Sequence, residues 1–348
     1  MSPERNVFTL GHSPDPDDAF MFYAMAENKI DLRGYRFEHR LEDIQALNER
    51  ALRGELHISA ISMHAYAYAA DKYALLPCGA SMGDGYGPIV VRKHPTSNPP
   101  PPWTGSAVVS IQHPTPNEDV AESASGGQFL GSENTDSHLD TTRRSWAIQP
   151  IETIGCPSGA EEIDVREWLR SCVIAVPGRM TSAFLALQLY LGDFKHVVVP
   201  FDQIFDAIKG GRAEAGLIIH EGQLTYAQSG FQKIVDLGEW WKRETGLPLP
   251  LGGNVLRKDI PPAVRHELLE IVRQSIDYGL AHRAEAVRHS LPYARDMNAE
   301  LARKFIGMYV NDYTRDYGKT GRAAIRKFFG NAYDAGYIDN PVEVEFAD

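Results

Sequence analysis

Val7-Phe8-Thr9-Leu10-Gly11 is followed by His12-Ser13-Pro14-Asp15-Pro16-Asp17-Asp18 and then by an apolar-periodic run from Ala19 to Ala26. The first five residues read as a short buried strand. The next seven form a tight turn rich in helix-capping side chains, and the third stretch reads as a helix. Strand, tight turn and capped helix open a βαβ unit. The pattern recurs downstream. Residues 35–41 read as a strand and 43–52 as a helix stopped by Gly54. Residues 56–61 read as a strand, with a helix over 63–70 behind Ser62. Further strands are expected over 86–92, 172–177, 197–199 and 215–219, and helices over 181–191 and 201–210. Alternating strands and helices predict an α/β fold with largely parallel sheets.

Beyond Pro261 the pattern is helical almost throughout, over 262–283, 299–310 and 320–335. Those helices need a sheet made by earlier residues to dock on. A discontinuous first lobe (1–88 plus 257–348) and a second lobe (89–256) are therefore expected. Residues 94–166 stand apart, because they open on a proline run and continue through Ser, Gly, Asn, Asp and Thr. A disordered insertion is expected there, with Trp146 and Trp168 as the residues able to anchor a lid.

The 348 residues are 43% hydrophobic and 23% charged, enough for two lobes with separate cores. A net charge of −11 argues against nucleic acid and anionic membrane surfaces as partners. A small anionic ligand stays compatible, because local backbone dipoles outweigh a distant net charge. Cys78, Cys156 and Cys172 form neither a C-x-x-C pair nor an even set, so reduced thiols are expected. The opening Met1-Ser2-Pro3-Glu4-Arg5-Asn6 does not read as a secretory signal, and no run reaches the length of a membrane span. A cytoplasmic protein is expected, of undefined oligomeric state.

Ligands of open α/β sheets bind beyond the carboxyl ends of the strands. Three such places carry capping groups: Ser13 to Asp17, Ser59 to Ser62, and Pro177 to Ser182. Their helix amides attract a carboxylate or phosphate. The simpler reading is that Asp17, Ser62 and Thr181 only cap helices. His220 ends the apolar strand Ala215-Gly216-Leu217-Ile218-Ile219 and precedes Glu221. Most lone histidines are structural, but a strand end facing the crevice suits a general base. It is not a zinc motif, since Leu224 stands where H-E-x-x-H needs histidine. Residues 79–88 are glycine-rich yet lack Gly-Lys-Ser/Thr and precede a strand, so they are no phosphate loop. With 247–253 they read as the two crossings between lobes. Trp240-Trp241 reads as core packing of helix on sheet.

Several strings then resemble one family: 12–20, Leu41-Glu42-Asp43-Ile44-Gln45-Ala46-Leu47-Asn48, Ile174-Ala175-Val176-Pro177-Gly178, Ile218-Ile219-His220-Glu221, 235–241 and Gly246-Leu247-Pro248-Leu249-Pro250-Leu251-Gly252. Together they are similar to the 1,4-dihydroxy-6-naphthoate synthase family of the futalosine route to menaquinone. The likeness covers nearly the whole chain outside 94–166. It implies a two-lobed type 2 periplasmic-binding-protein-like fold with a central cleft. It implies cleavage of cyclic dehypoxanthinylfutalosine, with His220 as base and no metal or cofactor. It also implies a small carboxylate substrate. That substrate is expected to meet Ser59, Ser62, Thr181, Ser182, Asp17 and Gly83. The sequence departs from the family pattern in a consistent direction. Asp15 and Asp17 replace Cys and Asn, Ala60 replaces a frequent Lys, and Asp84 sits inside a common G-R-G. Each change makes the crevice more negative. Two other readings stay open: chorismate dehydratase of the same route, and a solute-binding protein that returns its ligand unchanged.

Overall fold

A computed structural model describes residues 6–94, 164–294 and 297–347. All of them fall in one compact unit. The expected disordered insertion and its Trp146 lie outside the described residues, except for a terminal part. There Asp164 accepts from the Arg166 amide at 2.8 Å and caps a helix, Val165–Ser171. Trp168 on that helix is half-buried, with the Arg92 guanidinium 5.3 Å from its ring centre.

Two sheets organise the chain. The first contains β1 (Val7–His12), β2 (Arg36–Leu41), β3 (Ile58–Ser62), β4 (Tyr73–Leu75) and β5 (Ser81–Gly83). The second contains β6 (Ile89–Lys93), β7 (Val173–Val176), β8 (Lys195–Val198), β9 (Ala215–Ile218) and β10 (Phe231–Asp236). The last strand, β11 (Leu249–Arg257), returns to the first sheet. The orders are β2-β1-β3-β11-β4, with β5 also on β11, and β10-β6-β9-β7-β8. Each sheet is centred on a strand that is buried along its whole length, β3 and β9. β9 is apolar throughout, as suits a strand covered on both faces, whereas β3 also buries Ser59 and Ser62. The exposed β2 and β8 sit at edges.

The sheets are mixed rather than largely parallel as the alternation of elements predicts. β1 runs parallel to β2 and β3, and β7 to β8 and β9. β6 and β11 are antiparallel to every neighbour they have. These are the first strands after the chain passes between sheets, which it does at 84–88 and at 237–248. The expected second crossing, 247–253, is largely β11 itself, because residues from Leu249 onward already pair with β5 and β3. β6 follows β5 with no intervening helix and β11 follows β10 through helix Leu237–Thr245, and each enters its new sheet against its neighbours.

The crossings touch each other. The Leu237 amide donates to the Pro88 carbonyl at 2.9 Å, and Gly87 packs against the backbone of Gly238. A Cβ on Gly83 or on Gly238 would collide with the Tyr86 carbonyl oxygen. Neither glycine has a positive φ. Space, not conformation, therefore demands glycine here.

Helix Pro262–Ala281 docks on the first sheet, where Leu268, Val272 and Ile276 meet Leu10, Phe20 and Phe22. The second sheet has its own core of Ile89, Val91, Ala175, Ile204, Ile208 and Ile218. Trp240 and Trp241 are core residues, as their sequence context predicts. The Trp241 ring N–H donates to the Pro248 carbonyl at 3.1 Å, and the ring stands edge-on to Phe328.

Candidate active site

A cavity of about 130 Å³ opens where the carboxyl ends of the central strands approach each other. From the first sheet it takes Ser13, Asp15, Asp17 and Asp18 after β1, Ala60 to Ser62 of β3, and Leu251 to Asn254 of β11. From the second it takes Thr181, Ser182, Ala183 and Ile219. Phe305 and Tyr309 of helix Ala299–Tyr309 complete the wall.

The turn after β1 is organised by Asp18. Its Oδ2 accepts from the Ser13 amide at 2.7 Å and from the Ser13 hydroxyl at 2.9 Å. Burial pushes the Asp18 carboxyl up to about 6 despite those two donors. Asp17 faces the cavity from the first turn of helix Pro16–Met21. Burial, then the charges of Asp18 and Asp15, hold its carboxyl well above the usual range. Asp17 does not cap that helix; Asp15 occupies the N-cap position, and its side chain makes no capping bond.

Ser62 and Thr181 look alike in sequence and act differently. Thr181 Oγ1 accepts from the Phe184 amide at 3.2 Å and donates to the Gly178 carbonyl at 2.9 Å, so it caps helix Ser182–Leu191. Ser62 makes no cap. Asn48 grips it instead: Oδ1 accepts from the Ser62 amide at 2.8 Å and Nδ2 donates to Oγ at 3.0 Å. Asn48 Nδ2 also reaches the Met180 carbonyl at 3.3 Å, tying β3 to the helix from the second sheet. The Ser182 hydroxyl donates back to the Leu251 carbonyl of β11. The first amides of helix Ser182–Leu191 lack intrahelical acceptors by geometry and present partial positive charge. They belong to Ser182 and Ala183, both on the cavity wall.

Of the residues singled out by sequence, Asp17, Ser62, Thr181 and Ser182 come together on the cavity wall. Ser59, Gly83 and His220 are not part of that lining. Ser59 is fully buried and donates to the Ala60 carbonyl at 2.9 Å. Strand alternation turns it from the face of Ala60 and Ser62. Gly83 serves the crossing described above.

His220 follows the wall residue Ile219 directly and is 9% exposed. Its Nδ1 accepts from the Gly222 amide at 3.1 Å. Its Nε2 therefore carries the proton and donates to the Phe201 carbonyl at 2.9 Å. Phe201 and Phe205 stand edge-on to the ring, and Glu221 Oε2 is 3.4 Å from Nδ1. In this arrangement both ring nitrogens are engaged by backbone. His12 ends β1 and His64 stands two residues after Ser62, yet neither lines the cavity. Burial depresses both to about 4. Sequence reasoning missed Asp18, Asn254 and Tyr309.

Among the described residues no His, Cys, Asp and Glu group of three or more could hold a metal ion. No described helix is long and apolar enough to cross a membrane. Cys78 and Cys172 are free and buried, and burial raises the Cys78 thiol to about 12.

Two mixed sheets, two adjacent crossings and a cavity between strand ends define a periplasmic-binding-protein-like fold. An alkanesulfonate-binding protein from Xanthomonas axonopodis pv. citri, bound to MOPS, superposes with a TM-score of 0.61 at 10% identity, covering 97% of this chain and 96% of that one. A protein from Archaeoglobus fulgidus superposes at 0.72 with 35% identity, covering 96% and 99%. The Menaquinone biosynthesis family matches residues 8–112 and 160–334, and the chain belongs to that family. A 1,4-dihydroxy-6-naphthoate synthase from Thermus thermophilus is 32% identical, with 94% of each chain covered.

Proposed function

We propose that the protein cleaves cyclic dehypoxanthinylfutalosine to 1,4-dihydroxy-6-naphthoate, starting from proton removal by His220. The observation that carries this reading is the end-to-end likeness to the Thermus synthase, joined to a cavity suited to such a ligand. The substrate carboxylate fits the amides of Ser182 and Ala183, next to the Ser62 hydroxyl. Its flat ring fits Ile44, Ala60, Ile219 and Phe305. A base needs a lone pair facing the carbon acid. His220 acts in this scheme by releasing Gly222 and Phe201 as ligand enters, which turns the ring past Ile219 toward the cavity. The scheme uses no metal or cofactor, and the protein is read as cytoplasmic.

A second reading gives the proton work to Asp17, because its carboxyl faces the cavity and is held well above the usual range. Incubation with cyclic dehypoxanthinylfutalosine, and separately with chorismate, followed by mass analysis, tests both readings. His220→Ala is expected to lower turnover at least about 100-fold, the scale of general-base loss. A His220→Ala protein working at the parent rate, beside an inactive Asp17→Asn, moves the chemistry to Asp17. Consumption of chorismate instead identifies the dehydratase. Recovery of both compounds unchanged leaves a binding protein.

A further inference from the structure

Asn254 lies on β11 opposite Ala60 of β3 and is 1% exposed. Its Nδ2 donates to the Gly79 carbonyl at 3.1 Å. Gly79 has φ +77, and a Cβ there would strike the Asn254 amide. The pair is thus built for close approach. That bond also fixes the amide, because reversing it would set oxygen against oxygen. The remaining atom, Oδ1, is buried and has no partner. Asn254 and its neighbours Ala60, Gly79, Ser81 and Gly253 all line the cavity.

A buried amide oxygen without a donor is rare and unfavourable. The missing partner has to bring a proton. A carboxylate cannot do so at neutral pH, whereas a hydroxyl can. We infer that Asn254 determines specificity by accepting a hydrogen bond from a hydroxyl of the ligand. The inference rests on the proposed function and extends it: the hydroxyl belongs to the sugar-derived part of the substrate. Asp17, another polar group on the same wall, faces that part too. The carboxylate end then points at helix Ser182–Leu191, and the ligand has one orientation.

The test uses the full-length protein and cyclic dehypoxanthinylfutalosine, with calorimetric Kd and steady-state kinetics read side by side. Asn254→Ala is expected to raise Kd and KM about tenfold, with kcat within threefold. Asn254→Asp rescues binding to within threefold. Burial favours its neutral form, which donates to Gly79 and keeps a carbonyl acceptor. Thermal melting confirms that each variant is folded. An unchanged Kd in Asn254→Ala overturns the inference. So does a folded Asn254→Asp as weak as Asn254→Ala, because the acceptor is then irrelevant. Parent protein that binds without turnover refutes the proposed function alone, and the Kd comparison still decides the role of Asn254. Parent protein that does not bind refutes both.

Discussion

The two walls of the cavity offer a ligand opposite things. The wall from the first sheet presents three carboxyl groups, the aspartates after β1, and the Asn254 carbonyl. The wall from the second presents helix amides and an apolar side chain, at Ser182, Ala183 and Ile219. The net charge of −11 says nothing of this division. A chain can be strongly acidic and still hold a carboxylate, provided the anion is turned toward the helix start and away from the aspartates.

The first wall should carry the larger energetic signature. Asp17 keeps its proton in the folded chain at a pH where the unfolded chain has lost it. Stability from this group therefore declines as pH rises above about 4 and levels off only beyond the folded value. Asp18 adds to the decline up to about pH 6. Asp17→Asn removes that penalty. Urea unfolding is expected to show the variant more stable than the parent at pH 7. The two should converge below about pH 4, where Asp17 is neutral folded or unfolded. A difference that does not vary with pH would place the Asp17 carboxyl in water and dissolve the contrast between the walls.

Thr181→Ala tests the second wall. Losing the cap at Phe184 is expected to cost about 1 kcal/mol in urea unfolding. Ligand affinity should fall with it, since the same helix start faces the cavity. Full affinity in a destabilised Thr181→Ala would mean the anion is held elsewhere.

Ser59 belongs to neither wall. Ser59→Ala is expected to change ligand Kd by less than twofold and stability by under about 1 kcal/mol, a single short-range bond. A tenfold loss of affinity would return Ser59 to the site.

Much of this framework is legible in the sequence, for reasons that differ by element. β9 announces itself because a strand covered on both faces is apolar without a break, and β3 does so through Ile58, Ala60 and Ile61 despite its two buried serines. Thr181 stands out because a hydroxyl before an apolar helix is a cap in waiting. β11 hides behind Pro248, Pro250, Gly252 and Gly253, which read as a loop. Only pairing with β3, β4 and β5 makes it a strand. β4 and β5 are three residues each, too short for any periodicity. The position of His220 at a strand end is legible, but the direction of its ring is set by Phe201 and Gly222, one of them 19 residues away. Asn254 gains its meaning only from Gly79, 175 residues distant in sequence.

The Tyr86 carbonyl fills the space that a side chain on either Gly83 or Gly238 would need. One oxygen atom therefore keeps both connecting strips flush, like a shim fitted to a double hinge. Replacing Gly238 by a residue with even one methyl group would prop the strips apart and bias the two halves away from each other. That makes this spot, beside the cavity-lining Pro88, the natural place to engineer a permanently splayed form into which bulkier molecules can be soaked.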